Sequence, residues 1–316
     1  MSAILKRLAL ALPVVWLVVS LVFLLIHLVP GDPVDLMLGE GATPANKAAL
    51  RHELEYDRPL PVQYIHYWKG VLHGDLGRSI KYQLPVGKMI LERYPYTLAL
   101  TLASLALALL LSLPAGILSA MHRGRWPDRL LGITSLTGLS IPGLALGPAL
   151  IVAFSISLGW LPVSGASNIP SAQFSLTAIE LPYLILPAVT MGLSLAAILT
   201  RMVRTSMLEE LNQDYIRTAR AKGLSESAVI LRHALPNALV PILTVVGLQF
   251  GALLAGAIVT ETIFSWPGLG RLVVTAISSR DYELVQGCLL AIGLTYVVVN
   301  VLTDAATKWA NPRMRV

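Results

Sequence analysis

Acidic and basic side chains crowd one stretch of this sequence. Asp214, Arg217, Arg220 and Lys222 lead up to Gly223, and Glu226, Arg232 and His233 follow before Pro236. At helical spacing such groups cap helix ends, form ion pairs and present cations to another surface. They do not make a covalent catalyst, because no nucleophile–base or paired-carboxylate arrangement accompanies them. A phosphate-cradling G-x-x-x-x-G-K-[ST] loop is also missing. The Gly-Lys pair Gly87-Lys88 has Tyr82 in place of the first glycine and is followed by Met89. No H-E-x-x-H run occurs, and His and Cys show no metal-ligand spacing. The residues therefore offer no catalytic group, no metal site and no bound cofactor.

The elements that must position this stretch are apolar. The chain has 316 residues, 55% hydrophobic and 13% charged, with mean hydropathy +0.69, whereas soluble domains carry about 25% charged residues. Six segments are long and apolar enough to cross a bilayer: residues 8–29, 96–121, 130–158, 181–200, 238–260 and 284–303. Backbone polar groups in lipid must be paired within their own segment, which predicts six transmembrane helices and an all-α fold. Strand-like alternation for a β-barrel is absent. Lys6 and Arg7 precede the first run, which is too long for a signal-peptide core and lacks a small-residue cleavage site. The single cysteine, Cys288, lies in an apolar run and reads as a buried spectator.

Orientation follows from the basic residues of the short loops. Arg123, Arg125 and Arg129 lie on the side of the N-terminus. So do Arg201, Arg204, Arg217, Arg220, Lys222 and Arg232, together with Lys308, Arg313 and Arg315 in the tail. The short loops opposite hold only Arg271 and Arg280. Both termini are expected in the cytoplasm. The net charge of +6 is spread between apolar runs, not gathered on a nucleic-acid-binding face. The chain divides into residues 1–29 (N-terminus and first span), 30–95 (an extracytoplasmic subdomain), 96–303 (a five-helix core) and 304–316 (a cytoplasmic tail). A loop at 203–237 interrupts the core. Tyr64, Tyr67, Trp68 and Tyr82 predict that 30–95 is ordered.

The spans hold no Asp, Glu, Lys or Arg in their interiors, and ion-coupled carriers generally need such groups at depth. His27 sits near the outer end of the first span, as an interfacial side chain would. An ion-coupled secondary carrier with carbonyl-built sites stays an alternative. If solute moves uphill, a partner supplies the energy.

Within the loop, Asp214 is a plausible N-cap, Arg220 and Lys222 suit a C-terminal turn, and Gly223 suits the position after it. Ser225 can cap a second short helix that Pro236 would limit. Ala219 and Ala221 carry so little bulk that another protein could approach closely. By composition alone this reads first as an ordinary basic loop that sets orientation.

Gly223, with Leu235-Pro236 after it, resembles the EAA loop of binding-protein-dependent ABC importer permeases. The string Asp214-Tyr215-Ile216-Arg217-Thr218-Ala219-Arg220-Ala221-Lys222-Gly223 looks like the peptide/nickel branch, with Arg217 where the general pattern has glutamate. Pro30-Gly31-Asp32-Pro33, Asp57-Arg58-Pro59-Leu60, Gly74-Asp75-Leu76-Gly77-Arg78-Ser79, Trp126-Pro127-Asp128-Arg129, Ser265-Trp266-Pro267-Gly268-Leu269-Gly270-Arg271, Arg280-Asp281-Tyr282 and Asn311-Pro312-Arg313 follow in the same order.

The resemblance implies a type I ABC importer permease fold in a bacterial inner membrane. It also implies a second related permease, two cytoplasmic ATPases that use ATP and Mg, and an extracytoplasmic substrate-binding protein. Arg217, Ala219, Arg220, Ala221, Lys222, Gly223, Leu224 and Pro236 would form the ATPase-coupling loop. Asp32, Asp75, Glu261, Trp266 and Arg271 would lie at the outer mouth or meet the binding protein. The solute would be a dipeptide, oligopeptide or glutathione, with nickel the alternative in the same branch.

Three features carry plainer readings. Trp266 suits the aromatic belt of the outer interface. Glu261, at the end of the fifth span, is costly unless paired, and Arg271 and Arg280 are both available by sequence. Gly247, Gly251, Ala252, Ala255 and Gly256 form a small-residue stripe that permits close helix packing or lines a solute path.

Overall fold

Runs of Leu, Ala, Val and Ile that cannot leave backbone groups unpaired in lipid fold as helices. The computed structural model describes residues 2–28, 34, 38, 42–53, 55–167 and 179–310. Among these the chain is helical, with no strand beyond one isolated bridge between Arg78 and Pro85. Its helices are α1 (Ser2–Leu28), α2 (Pro44–Glu53), α3 (Leu60–His73), α4 (Val86–Met121), α5 (Trp126–Ser140) and α6 (Gly143–Leu150). After α6 the helix widens into π turns over Ile151–Ser157. Then come α7 (Leu181–Leu211), α8 (Asp214–Ala221), α9 (Leu235–Ile263), α10 (Leu269–Ser278) and α11 (Tyr282–Ala310).

Among the described residues four helices are long and apolar enough to cross a membrane: Val86–Met121, Leu181–Leu211, Glu226–Ile263 and Tyr282–Thr307. A fifth crossing arises if the bent pair Trp126–Ser140 and Gly143–Ser157 counts as one. That pair replaces the straight helix expected over 130–158. Pro142 drives Ile141 out of helical geometry, to φ −85° and ψ 115°, and the helices meet at 97°. Helix α4 also starts ten residues before the expected span, so that Lys88, Glu92 and Arg93 ride on its first turns.

The chain forms two compact units. The first draws on Met1–Thr97 and Pro267–Val297, the second on Leu98–Ala172, Thr177–Trp266 and Val298–Val316.

In the first unit, Val19 and Val22 of α1 pack with Leu290 and with Tyr67, Trp68 and Val71 of α3. Phe23 meets Tyr64 edge-on, and the Ser20 and Tyr64 hydroxyls are 2.7 Å apart. A second cluster joins Val86 and Ile90 to Leu269 and Val273 of α10 and to Leu284 and Cys288 of α11. Asp281, itself buried, caps α11. Its carboxylate accepts the Leu284 N–H at 3.3 Å and the Ser79 hydroxyl at 2.5 Å.

In the second unit the helices close up through small residues. A Cβ on Gly192 would stand 2.9 Å from the Ser104 carbonyl oxygen, and one on Gly247 would stand 2.2 Å from Thr303 Cγ2. Gly247 therefore belongs to a packing seam between α9 and α11.

Candidate functional site

Gln213, extended at φ −74° and ψ 151°, is the N-cap of α8, and Asp214 is its first helical residue. The expected cap is thus displaced by one position. Asp214 instead meets Arg217 at 3.2 Å on the exposed surface. Ile216 and Ala219, three residues apart and so on one face, are buried against Val203, Met207, Val229, Ile230, Ala234 and Ala238. This placement corrects the expectation that Ala219 offers an approach to another protein. Its small side chain instead lets α8 lie close against its own stem. Ala221 is exposed, as are Arg217, Arg220, Lys222, Gly223 and Leu224.

Gly223 terminates α8 in the left-handed conformation, φ +78°. Its N–H donates to the Arg220 carbonyl at 2.9 Å, and the Leu224 N–H reaches back to the Ala219 carbonyl at 3.4 Å. Together these satisfy the last carbonyls of the helix. Arg220 then bridges the glycine turn, donating Nη2 to Glu226 Oε1 at 2.5 Å and Nε to Oε2 at 3.1 Å. Glu226 raises the Arg220 guanidinium still further above its usual range. A second tie runs through Tyr215, whose hydroxyl donates to the Glu210 carboxylate and accepts the Asn237 amide at 3.0 Å. Sequence reasoning missed Tyr215, Glu210, Glu226 and Asn237 as a set. Only their partners in space reveal them.

Ser225 does begin the next helix, extended at ψ 148°, but Pro236 does not end it. The helix runs unbroken from Glu226 to Ile263. Residues Val229–Ala234 adopt π turns just before the proline. That widening accommodates a residue with no N–H to give and a ring that would crowd the preceding turn of a regular helix. Residues Asp214–Pro236 thus form a helix–glycine–helix knob whose second arm is continuous with α9.

The residues expected at the outer mouth are divided between the two units. Asp32 lies outside the described residues. Asp75 is exposed in the first unit and accepts the Gly77 N–H at 3.1 Å. Arg271 is exposed on α10, whose start is fixed by the Leu269 N–H donating to the Thr97 hydroxyl at 2.7 Å. Glu261 and Trp266 belong to the second unit, and both are fully buried. Burial of Trp266 replaces the exposed interfacial aromatic that its sequence position suggested. Ser265, at φ +51°, turns the chain so that the Trp266 N–H returns to the Glu261 carbonyl at 2.8 Å.

A cavity of about 340 Å³ opens in the second unit. Its walls are mostly apolar, from Pro142, Leu144, Met191, Leu195, Ile198 and Leu253. Thr190, Ser194, Gln249 and Thr260 supply its polar atoms, and no charged side chain lines it. Ala252 and Gly256 complete one wall, and a Cβ on Gly256 would meet nothing within 4 Å. The small-residue stripe thus divides. Gly247 packs, whereas Ala252 and Gly256 border open space. Such a site can surround an uncharged or self-compensated solute but performs no bond chemistry.

The described residues thus form an apolar set of long helices with an exposed basic turn between Asp214 and Pro236. Residues 112–316 match the family described as the binding-protein-dependent transport system inner membrane component, and residues 1–101 match the family of N-terminal portions of such membrane components. The chain belongs to this family of ABC importer permeases. It is 42% identical over 315 residues to the glutathione transport system permease protein GsiC of Salmonella typhimurium, covering 100% of this chain and 99% of that one. Against the protein of the same name from Pectobacterium atrosepticum it is 43% identical over 310 residues, covering 98% and 97%. Among solved structures, the inward-facing MetNI methionine ABC transporter aligns with TM-score 0.58 at 18% identity, covering 71% of this chain and 96% of that chain. This likeness establishes the shared fold.

Proposed function

We propose that this chain forms one half of the translocation pathway of an ATP-driven importer for small peptide-like solutes, with glutathione the leading substrate. The full-length identity to permeases named for glutathione transport supports the substrate class. Thr190, Ser194, Gln249 and Thr260 in the cavity also offer hydrogen-bonding atoms that the amides and carboxylates of a small peptide can use.

In this reading six helices span the membrane, with α1 as the first and the bent α5–α6 pair as the third. Both termini face the cytoplasm, and residues 30–95 form an outer subdomain. A second related permease completes the pathway. Two cytoplasmic ATPases bind ATP and Mg, and an outer binding protein delivers solute. The knob from Asp214 to Pro236 sits in a groove of one ATPase. Closure of the ATPases on ATP pushes the knob, tilts α7 and α9 together and opens the cavity outward. Hydrolysis returns it inward.

The observation that carries this reading is the construction of the knob. Its inner face is fused to α7 and α9 through Ile216 and Ala219, while Arg217, Ala221, Lys222 and the Gly223 turn stay exposed. A rigid base with an exposed tip transmits force to whatever grips it.

Cysteine placed at Ala221 in the complete, transporting assembly tests the reading. It is expected to cross-link to an ATPase subunit with a yield that changes when ATP is trapped. Uptake of glutathione into vesicles lacking every ATPase subunit, or no cross-link to one in an active complex, would overturn it.

A further inference from the structure

Trp126-Pro127-Asp128-Arg129 stands out in the sequence, yet nothing in the knob or the cavity uses it. In the structure Asp128 lies in the first turn of α5 with its side chain only 9% exposed. Its carboxylate is fully engaged. Arg204 of α7 grips both oxygens, Nε to Oδ1 at 2.6 Å and Nη2 to Oδ2 at 2.9 Å. The Ser119 hydroxyl, near the end of α4, donates to Oδ1 at 2.5 Å. The Gly124 N–H in the α4–α5 turn donates to Oδ2 at 2.8 Å, from a glycine held at φ +76°. One carboxylate therefore ties three helices and a turn at a single point.

The position of that point gives it a mechanical meaning. Arg204 is flanked by Val203 and Met207, which are buried in the same cluster as Ile216 and Ala219 of the knob. Ala120, next to Ser119, belongs to that cluster as well. One turn earlier α4 and α7 come close, with Gly116 against Val203. A fork of two charge-assisted hydrogen bonds resists shear and rotation in a way that apolar contact alone does not.

We propose that Asp128 is a positioning residue for coupling: through Arg204 it pins the α4–α5 corner to the stem of the knob, so that displacement of the knob moves α4 and α5 together with α7. The proposal rests on the reading of Asp214–Pro236 as the ATPase-gripped knob. Without the pin, the knob would still move with its ATPase, but α7 would slip past α4 and α5, and ATP would be spent with little solute carried.

The test uses the complete complex with its binding protein in proteoliposomes, with glutathione uptake and ATP hydrolysis measured on the same sample. Asp128→Asn keeps the shape and removes the charge and one acceptor. It is expected to lower solute carried per ATP about tenfold while hydrolysis stays within about twofold. Arg204→Lys keeps the cation but not the fork, and it serves where the asparagine variant fails to assemble; the same loss is expected. An unchanged ratio of uptake to hydrolysis, or a parallel fall of both in assembled complexes, would overturn the pin. A cysteine at Ala221 in the same variants separates the two ideas. A retained ATPase cross-link with unchanged coupling removes the pin alone, whereas no cross-link even in the unsubstituted transporter removes the knob and the pin with it.

Discussion

Val203 leaves no room for a side chain at position 116. A Cβ on Gly116 would stand 2.5 Å from Val203 Cβ and 2.9 Å from the Thr200 carbonyl oxygen. The second of these is backbone and cannot rotate away, so α4 and α7 owe their approach to the missing side chain. Gly116→Ala is expected to cost about 1–3 kcal/mol by overpacking, despite the gain in helix propensity. Thermal unfolding of the purified protein in detergent measures it. Val203→Ala in the same chain keeps the Cβ that the new methyl meets and should not restore the loss.

Gly223 presents the opposite case. Its φ of +78° penalises any side chain, yet a Cβ there would meet nothing within 4 Å. Gly223→Ala should therefore cost only about 1–2 kcal/mol of local backbone strain, and Gly223→Asn less. If Gly223 meets the ATPase as proposed, a bulky or charged residue such as Gly223→Glu leaves insertion and folding intact and acts on that contact. Solute uptake in the full complex is expected to collapse while ATP hydrolysis persists. Unchanged uptake with Gly223→Glu would remove the glycine turn from the coupling surface.

Gly256 faces the cavity with open space before it. Gly256→Leu replaces a poor helix former with a good one and fills part of the cavity, so stability should hold or rise by up to about 1 kcal/mol. Solute uptake is expected to fall, with a larger effect than for Gly247→Ala corrected for its loss of stability. Direct uptake assays on the two variants distinguish a solute path from a packing seam.

Asp281 holds the start of α11 and the segment at Ser79 with one buried carboxylate. Asp281→Ala is expected to cost about 2 kcal/mol or more, since a helix cap and a long-range hydrogen bond go together. Ser79→Ala should cost about 1 kcal/mol. The double variant should be less damaging than the sum, because both changes remove the same bond. Denaturation of the three variants closes the cycle.

Asp57 gives a pH signature outside the membrane. Its carboxyl is held below the usual carboxylate range, first by the 2.9 Å hydrogen bond with His52. Because the folded value is depressed, the stabilisation is present above the ordinary value of 3.8 and is lost as pH falls through the lower, folded one. Asp57→Asn should flatten the acid limb of a thermal-stability profile taken from about pH 6 to pH 3. An unaltered acid limb would mean that this exposed pair stabilises nothing.

Much of this protein is local and therefore legible in its residues. Apolar runs must become helices in lipid, whatever packs beside them. Gly223 after Arg220 and Lys222 marks a left-handed helix end, because few other residues adopt that conformation cheaply. The order of short motifs along the chain leads to the permease family. Tertiary structure decided the rest, since the deciding partners lie far apart in sequence. Ile216 and Ala219 turn inward because Val203 and Ala234 wait on that side. Trp266 is buried, not interfacial, because Ser265 turns the chain back on Glu261. Pro236 continues a helix where local rules end one, since π turns before it relieve the crowding. Asp128 and Arg204 meet across 76 positions. Periodicity and capping are properties of neighbours on the chain; burial and ion pairing belong to neighbours in space.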